Sequence, residues 1–366
     1  MPLSSLDLFT ASCCLVLLLG HATICQGSPS RAPRVFPGRR RYISWADLNV
    51  RNHSRYYSDA KYRISGRVIL VSKDGAGDSR TVQGAVDMVP DGNDNRVRIL
   101  ISPGIYREKV VVPETKPYIS FIGRGSSETV ITYHLRAADR YSNGQAVGTY
   151  DSASVAIESN FFCANGITFQ NTAPAAKPGE EGGQAVALRL TGDRAMLYRC
   201  RILGSQDTLF DHLGRHYFFQ CFIQGSIDVI FGSARSLYQS CSLHSVAESY
   251  GAVAASQRNS PSDNYGFSFV DCKLSGTGKV YLGRAWGRYA TVVYSNCQLE
   301  GIVLPEAWSD WGDASRRRTV YFGQFNCKGE GAELGEKVGW ARSLSYVEAK
   351  SFLDRGYVDG ERWLDL

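Results

Sequence analysis

No stretch of this 366-residue chain is suited to crossing a bilayer. Its one long apolar run, residues 8 to 19 (LFTASCCLVLLL), falls short of the roughly 20 residues a spanning helix needs. Other absences narrow the chemistry. There is no CxxC pair, so the common zinc frames have no support. Gly75 and Gly77 lack the Lys-Ser/Thr of a phosphate loop, and Gly232-Ser233 is not a G-x-S-x-G nucleophile elbow. Asp207-Thr208-Leu209 lacks the Gly of an aspartic protease loop. His212 and His216 are four apart, but in a turn and strand that spacing does not bring them onto one face, so structural roles are expected. His244 has no evident partner for a Ser-His-Asp arrangement.

The first 27 residues contain no Lys or Arg, yet the apolar run followed by small residues near Cys25 and Gly27 suits a secretory signal over residues 1–27. Cleavage there would remove Asp7 and raise the formal charge from +6 to +7. Residues 28–65 would form a basic leader with Arg31, Arg34, Arg39, Arg40 and Arg41, and residues 66–366 the domain proper. Asn52-His53-Ser54 is the sole acceptor pattern for N-glycosylation. A mildly basic secreted protein suits a polyanionic partner. Nucleic acid would satisfy charge alone, but no recognised binding motif accompanies it.

What is present is a repeat. Aromatic or aliphatic residues flank a cysteine in FFCANGITF (161–169), LYRCRIL (197–203), FFQCFIQ (218–224), LYQSCSL (237–243), SFVDCKL (268–274) and VYSNCQL (293–299). The seven cysteines from Cys163 to Cys327 therefore mark coils of about 20 residues carrying loops of variable length. Short alternating strands at this period, without intervening helices, cannot close βαβ units and predict an all-β parallel β-helix. Once Cys13, Cys14 and Cys25 leave with the signal, the cysteine count is odd, which favours inward-facing stacked thiols over a disulfide framework. Val68 to Pro90 reads as a strand, a Gly-rich turn and a short amphipathic helix capping the open end.

Within that frame Asp207 and Asp228 each follow a cysteine (Cys200, Cys221) by seven residues and are 21 residues apart. One coil per repeat would stack the two carboxylates at the strand spacing of roughly 4.8 Å, where two negative charges are costly and one acid stays protonated. Gln206 adjoins Asp207, and Gln184 lies about one coil earlier, so two neutral N–H donors would face a developing oxyanion. Arg284, in Leu-Gly-Arg-Ala-Trp (282–286), is expected to grip one aspartate bidentately and keep it ionised. Taken singly, a Gln or Asp at a strand end most often caps a turn. Only the shared register lifts these residues above that reading.

The ordered motifs Gly104-Ile105-Tyr106-Arg107-Glu108, Thr149-Tyr150-Asp151-Ser152-Ala153, Gln184 to Arg189, Gln206-Asp207-Thr208-Leu209, Gly225 to Gly232 and Leu282 to Trp286 resemble those of the plant pectin methylesterases, from about Val68 to Leu364. The resemblance implies a right-handed parallel β-helix of the variety without an inhibitor-like pro-region. It further implies hydrolysis of C6 methyl esters of homogalacturonan through an aspartyl acyl-enzyme, without metal or organic cofactor. By the same resemblance Asp228 is the nucleophile, Asp207 the proton donor and later base, and Gln184 and Gln206 the oxyanion stabilisers. Arg284 orients Asp228, Tyr150 and Trp286 offer faces to sugar rings, and Thr149 is a substrate contact. The expected partners are pectin and separate inhibitor proteins, the expected state a monomer, and the expected location the cell wall. Val229 stands where Phe is usual and Ala285 where Pro is usual. The first change is expected to alter sugar packing and the second to loosen the strand end carrying Arg284. Stacked carboxylates also describe a retaining glycosidase or another polygalacturonate-cleaving β-helix enzyme. A cell-wall binding protein with a weakened site is a further alternative.

Overall fold

The computed structural model describes residues 42–48, 67–177, 180–333 and 338–366. The expected signal, most of the basic leader and Asn52 lie outside them. Among the described residues nearly every strand pairs in parallel with the strands one coil before and after it, forming three long sheets. The first runs from Gly104–Arg107 to Gln298–Leu299, the second from Val110–Val112 to Trp308–Ser309, and the third from Arg67–Val71 to Arg342–Ser343. This is the β-helix that the cysteine period predicts.

Alternation along each strand sends one set of side chains inward, and successive coils stack like on like. In the third sheet Phe218, Tyr238, Phe269 and Tyr294 form a continuous internal stack with ring centroids 4.5, 4.8 and 4.5 Å apart. Beside it runs a ladder of buried thiols in which each cysteine faces a carbonyl of an earlier coil: Cys221 with Leu197 O at 3.4 Å, Cys272 with Tyr238 O at 3.3 Å and Cys297 with Phe269 O at 3.4 Å. All seven described cysteines are free. The residue before each ladder cysteine (Arg199, Gln220, Ser240, Asp271, Asn296, Asn326) has φ between 50° and 54°. Short polar residues tolerate that left-handed turn better than branched ones.

Cys163 departs from the expected frame. Its strand partners are Ser120 and Met196. Its thiol sits outside the coil in a second core with Met196, Tyr217, Leu237 and Trp363. Ile167 occupies the interior place the ladder would assign to it, four residues later. The cause is the pleat: an apparent cysteine repeat can be met from either face of a sheet.

The second core also corrects the leader boundary. Ile43–Ser44 pairs in parallel with Leu364–Asp365, and a short 3-10 turn over Trp45–Leu48 follows. Ile43, Leu48 and Trp363 are buried together, so Tyr42–Leu48 belong to the folded unit rather than to a leader. The expected capping helix spans Val82–Asp87, with Thr81 as N-cap and Val82, Ala85 and Val86 buried over the first coils. Glu108 accepts its first N–H groups, from Val82 and Gln83, at 2.8 and 2.9 Å.

Candidate active site

The second sheet carries the site on its outer face. Leu209 pairs with Ile230 in that sheet, and two residues earlier the same register sets Asp207 against Asp228. Asp207 N donates to Ile227 O at 3.0 Å and Leu209 N to Val229 O at 2.8 Å, so the stacking continues through the turn. Both aspartates adopt the left-handed conformation, with φ 59° and 47°. Equivalent, sparsely populated conformations on successive coils aim both carboxyls to one side. Ala185 N donates to Gln206 O at 3.1 Å, which places Gln184 and Gln206 on neighbouring coils by the same ladder.

These side chains meet in a cleft of about 490 Å³ whose walls include all eight cleft residues singled out from sequence: Thr149, Tyr150, Gln184, Gln206, Asp207, Asp228, Arg284 and Trp286. Arg284 Nη1 donates to Asp228 Oδ2 at 3.0 Å. The grip is single, not bidentate as expected, because the guanidinium also lies 3.9 Å from the ring centre of Trp311 and shares its orientation with that stack. The other Asp228 oxygen, Oδ1, is buried and has no hydrogen-bond partner. Removal from solvent and the neighbouring Asp228 charge push Asp207 well above the ordinary carboxylate range, against the pull of Arg284. Burial also raises Asp228, to about 6, with Arg284 restraining the shift. Of the two, Asp207 is the one pushed further above the ordinary carboxylate range.

Sequence reasoning missed the aromatic floor. Phe210 and Phe231 face outward from the strands whose Leu209 and Ile230 face inward, and their rings stack 4.3 Å apart. Their 21-residue spacing and strand alternation were the available signal. Trp311 comes from the loop after Trp308–Ser309, lies 6.5 Å from Trp286, and had no repeat to reveal it. Arg189 was also missed: it is buried, holds Glu158 at 2.9 Å, and stacks 3.6 Å from the ring centre of Tyr150. An arginine–aromatic stack therefore borders the Phe pair on each side.

The two unusual residues act differently from expectation. Val229 faces the interior of the coil, not the cleft. Ala285 N donates to Ser309 O at 2.9 Å, a bond proline could not make, so the strand end beside Arg284 is tied down rather than loosened. His216 is fully buried, with Nδ1 2.5 Å from Asp211 Oδ1 and Nε2 2.8 Å from Gly192 O, while His212 lies beside Tyr150 and Phe210 on the cleft side. The two histidines do not converge. Among the described residues no three His, Cys, Asp or Glu side chains form a metal-ligating group.

The family model described as Pectinesterase matches residues 68–361. Pectinesterase QRT1 of Arabidopsis thaliana is 53% identical over 346 residues, covering 89% of this chain and 91% of the relative. Pectinesterase 31 of the same plant is 40% identical over 311 residues, covering 82% and 96%. The solved structure of a pectin methylesterase from carrot superposes with a TM-score of 0.74 at 34% identity, covering 81% of this chain and 94% of that one.

Proposed function

The chain belongs to the pectinesterase family, and on that premise we propose that Asp228 Oδ1 is the nucleophile and Asp207 the proton donor of its reaction. The reaction is hydrolysis of the methyl esters of pectin to free carboxylate and methanol. One observation carries the assignment. Asp228 has one oxygen held by Arg284 and the other buried without a partner, in a carboxyl pushed up to about 6, facing a cleft shared with Asp207, whose carboxyl is pushed well above the ordinary range.

In the proposed sequence Oδ1 attacks the C6 carbonyl, and the carbonyl electron pair moves to an oxyanion that the Gln184 and Gln206 amides stabilise. When the tetrahedral species collapses, the bond to methoxide breaks and Asp207 supplies the proton that makes methanol. The result is an acyl anhydride on Asp228. Water then attacks the acyl carbon, giving its proton to the Asp207 carboxylate. The new acid departs, Asp228 regains its charge and Asp207 its proton. Stacked Phe210 and Phe231, with Tyr150, Trp286 and Thr149, would bind the sugar faces. Another pectin methylesterase of the same fold has been solved in complex with a hexasaccharide.

The flanking amides favour acyl chemistry over glycoside cleavage, whose oxocarbenium ion wants negative charge nearby. Secretion to the cell wall after cleavage near Gly27, a domain beginning near residue 66 apart from the docked Tyr42–Leu48, a glycan on Asn52, a monomeric state and control by a separate inhibitor protein complete the proposal. No helix among the described residues is long and apolar enough to cross a membrane. The deciding experiment is methanol release from highly methylated pectin by wild type and by Asp228→Ala at equal folded concentration. Loss of release in the variant supports the nucleophile; unchanged release, or falling viscosity without methanol, overturns the assignment.

A further inference from the structure

Arg189 takes no part in the chemistry proposed above, yet its charge is held almost fully buried at the edge of the cleft. It stands in the same outward row of the second sheet as Arg284, since successive pairings join Arg189 to Phe210, Phe210 to Phe231, Phe231 to Ala255 and Ala255 to Arg284. One arginine therefore closes each end of an apolar floor. Arg284 reaches Asp228 and restrains both acids. Arg189 is too far away for that, because its strand lies two coils from Ile230–Gly232, the strand that Asp228 leads into, or roughly 10 Å at the ordinary strand spacing.

What Arg189 touches is Tyr150. Its Nη2 donates to Glu158 Oε1 at 2.9 Å and its Nη1 to Thr191 Oγ1 at 3.0 Å, two bonds that fix the orientation of the guanidinium. The centre of that group lies 3.6 Å from the ring centre of Tyr150. Phe210 and His212 meet the same ring only at near right angles, 89° and 83°. The backbone beneath Tyr150 is a four-residue helix, Gly148–Asp151, that begins without a side-chain cap. Lys109 Nζ donates to Asp151 O at 2.6 Å and holds the helix end, which leaves the rotation of the half-exposed ring to the guanidinium. A cation–π contact is strongest where the cation is withdrawn from water, as it is here.

We propose that Arg189 is a positioning residue for substrate binding: anchored by Glu158 and Thr191, it holds Tyr150 in the orientation in which the other face of the ring meets a sugar. This inference rests on the reading of Tyr150 as a sugar contact. The series Glu158, Arg189, Tyr150 repeats at one end of the floor the series Asp228, Arg284, Trp311 at the other, each running from carboxylate to guanidinium to ring. In the second series the carboxylate does the work; in the first it is the ring. A ring that grips a sugar away from the reacting carbon acts equally on ground state and transition state, so its effect falls on KM.

The test is a double-mutant cycle on methanol release from highly methylated pectin, using wild type, Arg189→Met, Tyr150→Ala and the two combined, with thermal unfolding to verify folding. Arg189→Met should raise KM about fivefold to tenfold, the scale of a desolvated cation–π contact, and leave kcat within about twofold. Tyr150→Ala should raise KM at least as much, and the combined variant no further than Tyr150→Ala alone. Glu158→Gln keeps the guanidinium but removes its charged anchor, and serves if Arg189→Met does not fold. It should give a smaller rise in KM that also disappears in the Tyr150→Ala background. Additive effects, a fall in kcat at constant KM, or an unchanged KM in the Arg189 and Glu158 variants beside a raised KM in Tyr150→Ala overturns the role of Arg189 alone. An unchanged KM in Tyr150→Ala overturns the sugar-contact reading and the inference with it.

Discussion

At the scale of single residues, function depends on how two carboxyls divide one proton. As the proposed nucleophile, Asp228 must be ionised to attack, and burial raises its carboxyl to about 6. Below that pH the nucleophile is protonated, so kcat/KM should rise with pH through about 6. Arg284 lowers the Asp228 value; Arg284→Gln should therefore move the rising limb to higher pH and reduce kcat by about a hundredfold, the scale of one lost electrostatic contact in a dry site. A pH profile of initial rates checks both. The same shift carries a stability cost. A carboxyl that titrates near 6 when folded and near 3.8 when unfolded destabilises the fold fully above pH 6 and not at all below about 4. Asp228→Asn should abolish methanol release yet raise stability at neutral pH by about 3 kcal/mol, with the gain vanishing as pH falls through 6 towards 4. Denaturant titration at several pH values measures this. That trade is consistent with a strained, desolvated residue retained for chemistry.

Among the elements, the strand pair Leu209–Asp211 and Arg215–Phe219 shows how polar groups are accommodated under the site. Asp211 accepts from Tyr238 OH at 2.6 Å and faces His216 Nδ1 on its other oxygen. Burial lowers the His216 value, but the Asp211 charge and hydrogen bond, with Gly192 O, outweigh it and leave the imidazole raised above 6.5. Its stabilising contribution is complete below the unfolded histidine value and fades as pH rises through the folded one. Tyr238→Phe leaves Asp211 Oδ2 without its hydroxyl partner, with an expected cost of about 1–3 kcal/mol. Because Tyr238 points into the coil and not into the cleft, methanol release per folded molecule should be unchanged; an equal loss of activity would show that the network reaches the site. Unfolding curves and rates below the transition separate the two. The histidines' four-residue spacing was visible in sequence, but which one would be buried against an acid depended on the pleat and on a tyrosine one coil later.

For the molecule as a whole, the coils need cover where their outer faces are apolar. The C-terminal segment provides it on the third sheet: Trp363 is fully buried, donates from Nε1 to Val358 O at 2.8 Å, and shares a core with Ile43, Leu48, Met196 and Leu237. Trp363→Ala should cost about 3–5 kcal/mol and release Ile43–Ser44 from its pairing with Leu364–Asp365. Hydrogen exchange at Ile43 reads the second effect. If exchange there stays slow, the tryptophan does not hold the N-terminal strand in place.

The repeat was legible because a solenoid writes its period into the chain: residues on equivalent coils meet equivalent surroundings, so Asp207 and Asp228, or Cys200 and Cys221, recur at one spacing. By itself the sequence determined the parallel coils, the stacked acids and the amides beside them. Tertiary structure decided the rest. Spacing does not record which face of a strand a residue occupies, so Cys163 and Val229 were assigned to the wrong side. Nor does it say where an irregular loop returns, so Trp311 beneath Arg284 became a neighbour of the site only when the loop between Ser309 and Val320 closed over it. Local periodicity constrains residues that share a sheet. Side chains delivered by loops are placed by packing against the folded whole.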